Sequence, residues 1–176
     1  DLIAGAVMTK TEELGRAVKV VQNTCGAVLG PNDCWLLLRG IKTLSARLEI
    51  QSRQAQALAE WLKAQPWVKQ VFYPGLADHP GHEIIRQQAE GFGAVVSLRT
   101  DSTARTEKIM KHVKLWSVAV SLGGVESILS YPTKMSHAAI PAKAREALGI
   151  SPALIRLSVG LEAVEDLQGD LEAAAK

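Results

Sequence analysis

Arg156 stands in "ALIRLSVG", where alternation puts Leu154 and Arg156 on one face of a strand and Ile155, Leu157 and Val159 on the other. A guanidinium on a half-buried strand face keeps its charge and must meet an anion. That anion is either a structural Asp or Glu, or a substrate carboxylate gripped by two parallel hydrogen bonds. Arg39, in "LLLRGIKTL", poses the same question on a helix, where a structural ion pair is the expectation. A second stretch, "SVAVSLGGVES" (117–127), runs from alternating apolar residues into Gly123, Gly124 and Glu126. It lacks the GxGxxG pattern and helix-opening context of a dinucleotide loop, and the chain contains no GxxxxGK[ST]. The two glycines therefore read as a tight turn or a close backbone approach, and Glu126 as a capping or turn residue.

Three further groups carry reactive side chains in less telling patterns. His79, His82 and Glu83 in "DHPGHE" are metal-ligand types, but their spacing straddles a Pro-Gly turn that one helix face does not present, so they read as a surface loop and no metal is expected. Thr133, Lys134, Ser136 and His137 in "PTKMSH" bring hydroxyls, an amine and an imidazole together without a third partner, again an exposed loop. Cys25 and Cys34 have no CxxC spacing and read as two packed thiols of a protein in a reducing cytosol.

The elements that must position these groups can be read in order. Asp1 is followed at once by the apolar run of "LIAGAVM", which reads as a buried strand; a start with no Met and no polar lead-in looks like the back part of a longer chain. Thr9 and Glu12 form a capping-box pattern for a helix from about Lys10 to Val21. Asp33 is placed to cap a helix over 34–64, ~45 Å long at 1.5 Å per residue. Its polar middle, "EIQSRQAQ", marks the passage from one core to another, so the domain boundary is placed near Ile50. Strand and helix then alternate: strands at "VKQVFY", "GAVVSLR", "LWSVAVS", "SILSY" and "LIRLSVG", helices at "PGHEIIRQQAE", "STARTEKIMKHV", "PAKAREAL" and from about Ala163. Such alternation implies an α/β or α+β layer with helices packed on a sheet.

With 176 residues, 47% hydrophobic, the chain can bury a core, and its net charge of +2 comes from interspersed basic and acidic residues. No basic stripe argues for nucleic acid as a partner. No apolar run approaches the ~18 residues of a membrane helix, and no basic region precedes "LIAGAVM" as in a signal peptide, so no membrane is expected as a partner.

Four segments, "GAVLGPNDCWLLLRGIKTLSARLE", "VFYPGLADHPGH", "SLGGVESILSYPTKMSHAAIP" and "LIRLSVGLEAVEDL", together resemble the Cys/Met-metabolism family of pyridoxal-phosphate (PLP) enzymes, in the family's order and over nearly the whole chain. The resemblance implies the C-terminal portion of a fold-type-I PLP-dependent transferase fold. Residues 1–50 would end the large PLP-binding domain, and 51–176 would form a small domain of helices on a mainly antiparallel sheet. It also implies a PLP-dependent carbon–sulfur lyase that splits cystathionine by β-elimination into homocysteine, pyruvate and ammonia. The alternatives are the family's γ-synthase and γ-lyase chemistries and, third, a small-domain module that only binds or oligomerises.

Matched position by position, the resemblance makes Arg156 the ligand of the substrate α-carboxylate, with Ser121 and Leu122 lining the pocket beside it. Val120 stands where several γ-enzymes have Glu, which favours the β-reaction. Gln22 and Asn23 match a stretch at the active-site entrance of a neighbouring subunit. The Schiff-base lysine belongs to an "SxTK" segment that the family places before the strand resembling "DLIAGAVMTK". It is therefore expected upstream of Asp1, as are most of the groups that bind PLP, and the chain by itself is expected to be inactive. "PTK" at 132–134 is not that motif. The family also implies a cytoplasmic homotetramer built from dimers.

Overall fold

The computed structural model describes residues 2–176. Helix α1 (Glu12–Cys25) is capped by Thr11, whose hydroxyl accepts from the Leu14 amide at 3.3 Å while its backbone stays extended. Thr9 does not cap it: its hydroxyl donates to the Thr11 carbonyl at 3.1 Å, so the helix starts two residues later than the Thr9–Glu12 pattern predicts. Glu12 and Glu13 suit the positive end of the helix, and Gly26 closes it at φ +67°, a left-handed conformation that glycine takes without strain.

The long helix expected over 34–64 is two helices. Helix α2 (Pro31–Ile41) opens on proline, with Gly30 rather than Asp33 at its cap; α3 (Leu44–Lys63) follows. Between them the Thr43 amide and hydroxyl both bond the Gly40 carbonyl, at 3.3 and 3.4 Å. Glycine and threonine are weak helix formers, and the threonine hydroxyl competes for the carbonyl that would continue the ladder. The apolar spacing runs on through the break, which is why the pattern reads as one helix.

Two compact units divide the chain, the first ending at Ser45 and the second running Ala46–Lys176; the boundary read near Ile50 lies further along α3. In the first unit residues 2–9 have no strand, and Ile3, Val7 and Met8 are exposed. The expected strand needs a neighbour for its backbone groups, and no strand among the described residues pairs with it. Helices α1 and α2 bury no residue; Trp35, Leu38 and Ile41 lie exposed at helical spacing on α2, and Cys25 and Cys34 are exposed rather than packed.

The second unit follows the expected alternation: β1 (Val68–Phe72), α4 (His82–Gln88), β2 (Val95–Thr100), α5 (Thr103–His112), β3 (Ser117–Val118), β4 (Ile128–Ser130), a 3-10 turn (Pro132–Lys134), α6 (Ala142–Ala147), β5 (Leu154–Ser158) and α7 (Val164–Ala175). The sheet order is β1-β2-β5-β4-β3, antiparallel throughout except for the β3–β4 pair. The expectation of helices on a mainly antiparallel sheet holds. Val96, Leu98, Ile155, Leu157 and Leu129 form the sheet's contribution to one core with Leu58 and Leu62 of α3, Ile109 of α5, and Leu167 and Leu171 of α7. Each such fully buried side chain contributes about 1.5–3 kcal/mol by leaving water. Asp170 of α7 fixes the α5–β3 connection by accepting the amides of Lys114, Leu115 and Trp116, and the Trp116 indole donates to Leu167 O at 3.1 Å.

Candidate functional site

Arg156 lies mid-way along β5, with Ser97 of β2 opposite it on one side and Ser130 of β4 on the other. Its face is the one turned away from the apolar core, as the alternation of the sequence predicts: Ile155 and Leu157 are buried, Arg156 only partly. Small serine neighbours leave room for a guanidinium to lie over the sheet.

The segment 119–127 covers this face. Arg156 Nη2 donates to the Ser121 carbonyl and to Ser130 Oγ, both at 3.1 Å. Ser130 Oγ–H donates in turn to the Ala119 carbonyl at 2.6 Å, so its lone pairs face the guanidinium. Two residues on, Ser158 Oγ accepts from the Gly123 amide at 2.8 Å. Arg156 and Ser158, spaced by two along a strand, thus address Ser121 and Gly123, spaced by two along the segment. From below, the buried Gln51 of α3 donates to the Gly124 and Val159 carbonyls at 2.7 and 2.9 Å. The strand expected over "LWSVAVS" shrinks to Ser117–Val118 for this reason: beyond it the chain leaves the sheet edge to meet Arg156 and Ser158.

These bonds decide what the site can do. Gly123 N–H and Ser127 N–H are bonded within the protein, to Ser158 and Glu162, so neither is free to hold a phosphate. Arg156, in contrast, meets no carboxylate within 4.0 Å among the described residues, and its Nε–H is buried without an acceptor. A buried unsatisfied donor costs about 1–3 kcal/mol. The two neutral acceptors on Nη2 aim the guanidinium but do not neutralise it, which suits it to an incoming anion. Val120, Ser121 and Leu122 are exposed beside it.

The remaining candidates fall elsewhere. Gln22 and Asn23 belong to the first unit: Gln22 accepts from Lys19 at 2.9 Å, and the Gln22 and Asn23 carbonyls accept the amides that follow Cys25. Arg39 has no carboxylate partner among the described residues and sits 5.9 Å from the Trp35 ring centroid, so the expected ion pair is replaced by a cation–π contact. His82 stacks on Phe92 and donates from Nδ1 to the Pro74 carbonyl at 2.7 Å; Glu83 pairs with Arg86, which with Gln87 holds its carboxyl down at about 2. Ser136 and His137 bond each other at 2.8 Å on the surface. Lys134 pairs with Glu107 at 2.6 Å, and that hydrogen bond raises its pKa, the opposite of what an amine nucleophile requires. A cleft of about 240 Å³ along the outer edge of β1 contains Lys63, already paired with Asp78, and does not include Arg156. Sequence reasoning missed Ser130, Ser158, Gln51 and Glu162, whose signal is their register and distance in the fold rather than any local motif.

Comparison with known proteins places this geometry in context. The family profile described as "Cys/Met metabolism PLP-dependent enzyme" matches residues 1–176. The chain is 53% identical over 176 residues to cystathionine beta-lyase MetC of Bacillus subtilis (strain 168), covering 100% of this chain and 45% of that protein. It is 46% identical over 171 residues to the cystathionine gamma-lyase of the same organism, covering 97% and 45%. The crystal structure of cystathionine gamma synthase from Xanthomonas oryzae pv. oryzae in complex with cystathionine superposes with a TM-score of 0.88 at 42% identity, over 94% of this chain and 43% of that one. The chain thus spans less than half the length of the relatives it matches.

Proposed function

The chain belongs to the Cys/Met-metabolism family of PLP-dependent enzymes, and from that premise we propose that it forms the C-terminal part of a carbon–sulfur lyase acting on cystathionine by β-elimination. The observation that carries this reading is Arg156: a charged, aimed guanidinium with a buried unpartnered Nε–H and no carboxylate of its own. It fits the α-carboxylate of an amino acid whose amine is held by the cofactor. On this reading the first unit, ending at Ser45, closes the large domain and Ala46–Lys176 form the small one; the exposed Trp35, Leu38 and Ile41 are apolar surface for the large domain to cover. The lysine that holds PLP, and the groups that bind its ring and phosphate, are assigned outside these residues. The 176 residues alone are inactive on this reading, and the working form is a cytoplasmic homotetramer built from dimers.

When bound, PLP takes up the electrons released as a bond at the substrate Cα breaks. Which bond breaks depends on orientation, and this chain supplies it. Arg156 grips the carboxylate, and a planar fork fixes direction as well as charge, which lysine does not. Ser121 O and Ser130 Oγ hold the fork, and Leu122 and Val120 present apolar surface at its side. A carboxylate fixed in this way would restrict how the substrate Cα is presented for bond cleavage, beside the exposed residues 120–122.

In the full-length holoenzyme, Arg156→Ala lowers kcat/KM by about 2–4 kcal/mol in transition-state terms, the loss of a charged hydrogen-bond partner. An unchanged kcat/KM refutes the carboxylate assignment. The relatives include γ-lyases and a γ-synthase as well as β-lyases. Product identity separates them: pyruvate supports the β-reaction, and 2-oxobutanoate replaces it with the γ-reaction.

A further inference from the structure

We propose that Glu162 is a positioning residue for carboxylate recognition, acting on Arg156 through Ser127 and the 119–127 segment; this rests on Arg156 being the carboxylate ligand. Glu162 lies just past β5 and accepts twice from one residue: Oε1 from the Ser127 amide at 2.8 Å, Oε2 from the Ser127 hydroxyl at 2.7 Å. Ser127 is fully buried, and its Oγ also accepts the Gly160 amide at 2.8 Å, so the direction of the hydroxyl proton is fixed toward Glu162. A carboxyl group offers one acceptor oxygen to each of these two donors.

The contact is tight along its length. Leu161 N–H donates to the Val125 carbonyl at 2.8 Å. A Cβ at Gly160 would collide with the Val125 carbonyl and the Glu162 carboxylate and stand 2.6 Å from the Glu126 carbonyl carbon. Residues 160–162 are thereby joined to 125–127, while Arg156 and Ser158 of the same stretch are joined to Ser121 and Gly123. One continuous piece of chain, 156–162, holds both ends of the segment.

Between Ser121 and Ser127 stand Gly123 and Gly124, which add little stiffness of their own beyond the bonds they make to Ser158 and Gln51. If the Ser127 end is released, the segment is held only at Ala119, Gly123 and Gly124, by Ser130, Ser158 and Gln51, and the Ser121 carbonyl is freer to leave Arg156 Nη2. Glu162 acts here through Ser127, and its contribution is to keep the fork aimed.

The test compares the parent holoenzyme with Glu162→Gln, Ser127→Ala and Arg156→Ala, each confirmed by its cofactor absorbance. The readout is the preference, in kcat/KM, for cystathionine over an analogue whose carboxylate on the reacting carbon is a carboxamide. A structural loss lowers both rates together and leaves the preference unmoved. The expected result is that Glu162→Gln and Ser127→Ala each reduce the preference by about 10-fold, mainly through KM, while Arg156→Ala abolishes it. Glu162→Gln keeps the side-chain volume, and should it fail to fold, Ser127→Ala reads the same contact from the other side. An unaltered preference in the Glu162 and Ser127 variants, with Arg156→Ala still abolishing it, overturns this proposal and leaves the role of Arg156 standing. An unaltered preference in Arg156→Ala overturns both.

Discussion

Gln51 offers the sharpest test of how the helical layer supports the site. It is 1% exposed, and its single amide nitrogen donates to two main-chain carbonyls far along the chain, Gly124 at 2.7 Å and Val159 at 2.9 Å. Gln51→Leu puts an apolar side chain, one atom shorter, in place of the amide and removes both donors. Two hydrogen bonds contribute about 1 kcal/mol each, and carbonyls left without partners add a desolvation cost of similar size, so the variant loses about 2–4 kcal/mol. Gln51→Glu fares no better at neutral pH, because a carboxylate then faces two carbonyl oxygens; acid restores part of the loss by protonating it. The assay is urea unfolding of the chain followed by circular dichroism at neutral and mildly acidic pH, with amide exchange read at Gly123 and Gly124. The reasoning is refuted if Gln51→Leu matches the parent in midpoint and slope while Gly123 keeps its protection.

Two other perturbations follow from buried or clustered polar groups. Burial pushes the Tyr73 phenol up to about 12, and its hydroxyl donates to Gly93 O at 2.9 Å. The folded phenol ionises later than the unfolded one, so the stability it lends is whole below about pH 10 and is lost as pH rises through 12. Tyr73→Phe therefore starts about 1 kcal/mol less stable at neutral pH, from the missing hydrogen bond, but loses less on going to alkaline pH, as denaturant midpoints at several pH values measure. Asp170→Ala frees the amides of Lys114, Leu115 and Trp116 and costs about 1–2 kcal/mol, seen as faster exchange at those three amides. Asp170→Asn, which keeps one acceptor oxygen, loses less.

The second unit was legible where a local rule and the tertiary structure agree. Period-two alternation gives both the strand at 154–158 and the face on which Arg156 lies, because one side of the sheet is covered by helices and the other is not. The continuous apolar run at 2–8 misleads, because no strand among the described residues pairs with it, and alternation misleads after Ala119, where the hydrogen bond from Arg156 to the Ser121 carbonyl draws the chain off the sheet edge. Helical spacing passes through Gly40 and Thr43 without registering the break, since periodicity counts apolar positions and not competing hydrogen bonds. What surrounds Arg156 was not legible: Ser121, Ser130 and Ser97 lie 26 to 59 residues away in sequence and meet it only through the strand order β2-β5-β4. Glu162 was hidden for the same reason, its partner being 35 residues upstream.

The matched spacing of Arg156 and Ser158 with Ser121 and Gly123 ties molecular recognition to correct assembly of the sheet. Slipping β5 by one residue against its neighbours would turn Arg156 and Ser158 into the apolar core and bring Ile155 and Leu157 out beneath the segment. Both hydrogen bonds to 121 and 123 would vanish together, along with the anion-seeking charge. A misaligned molecule is then blind to its ligand rather than weakly selective, so in any preparation the fraction able to bind a carboxylate counts the fraction whose strands are in register.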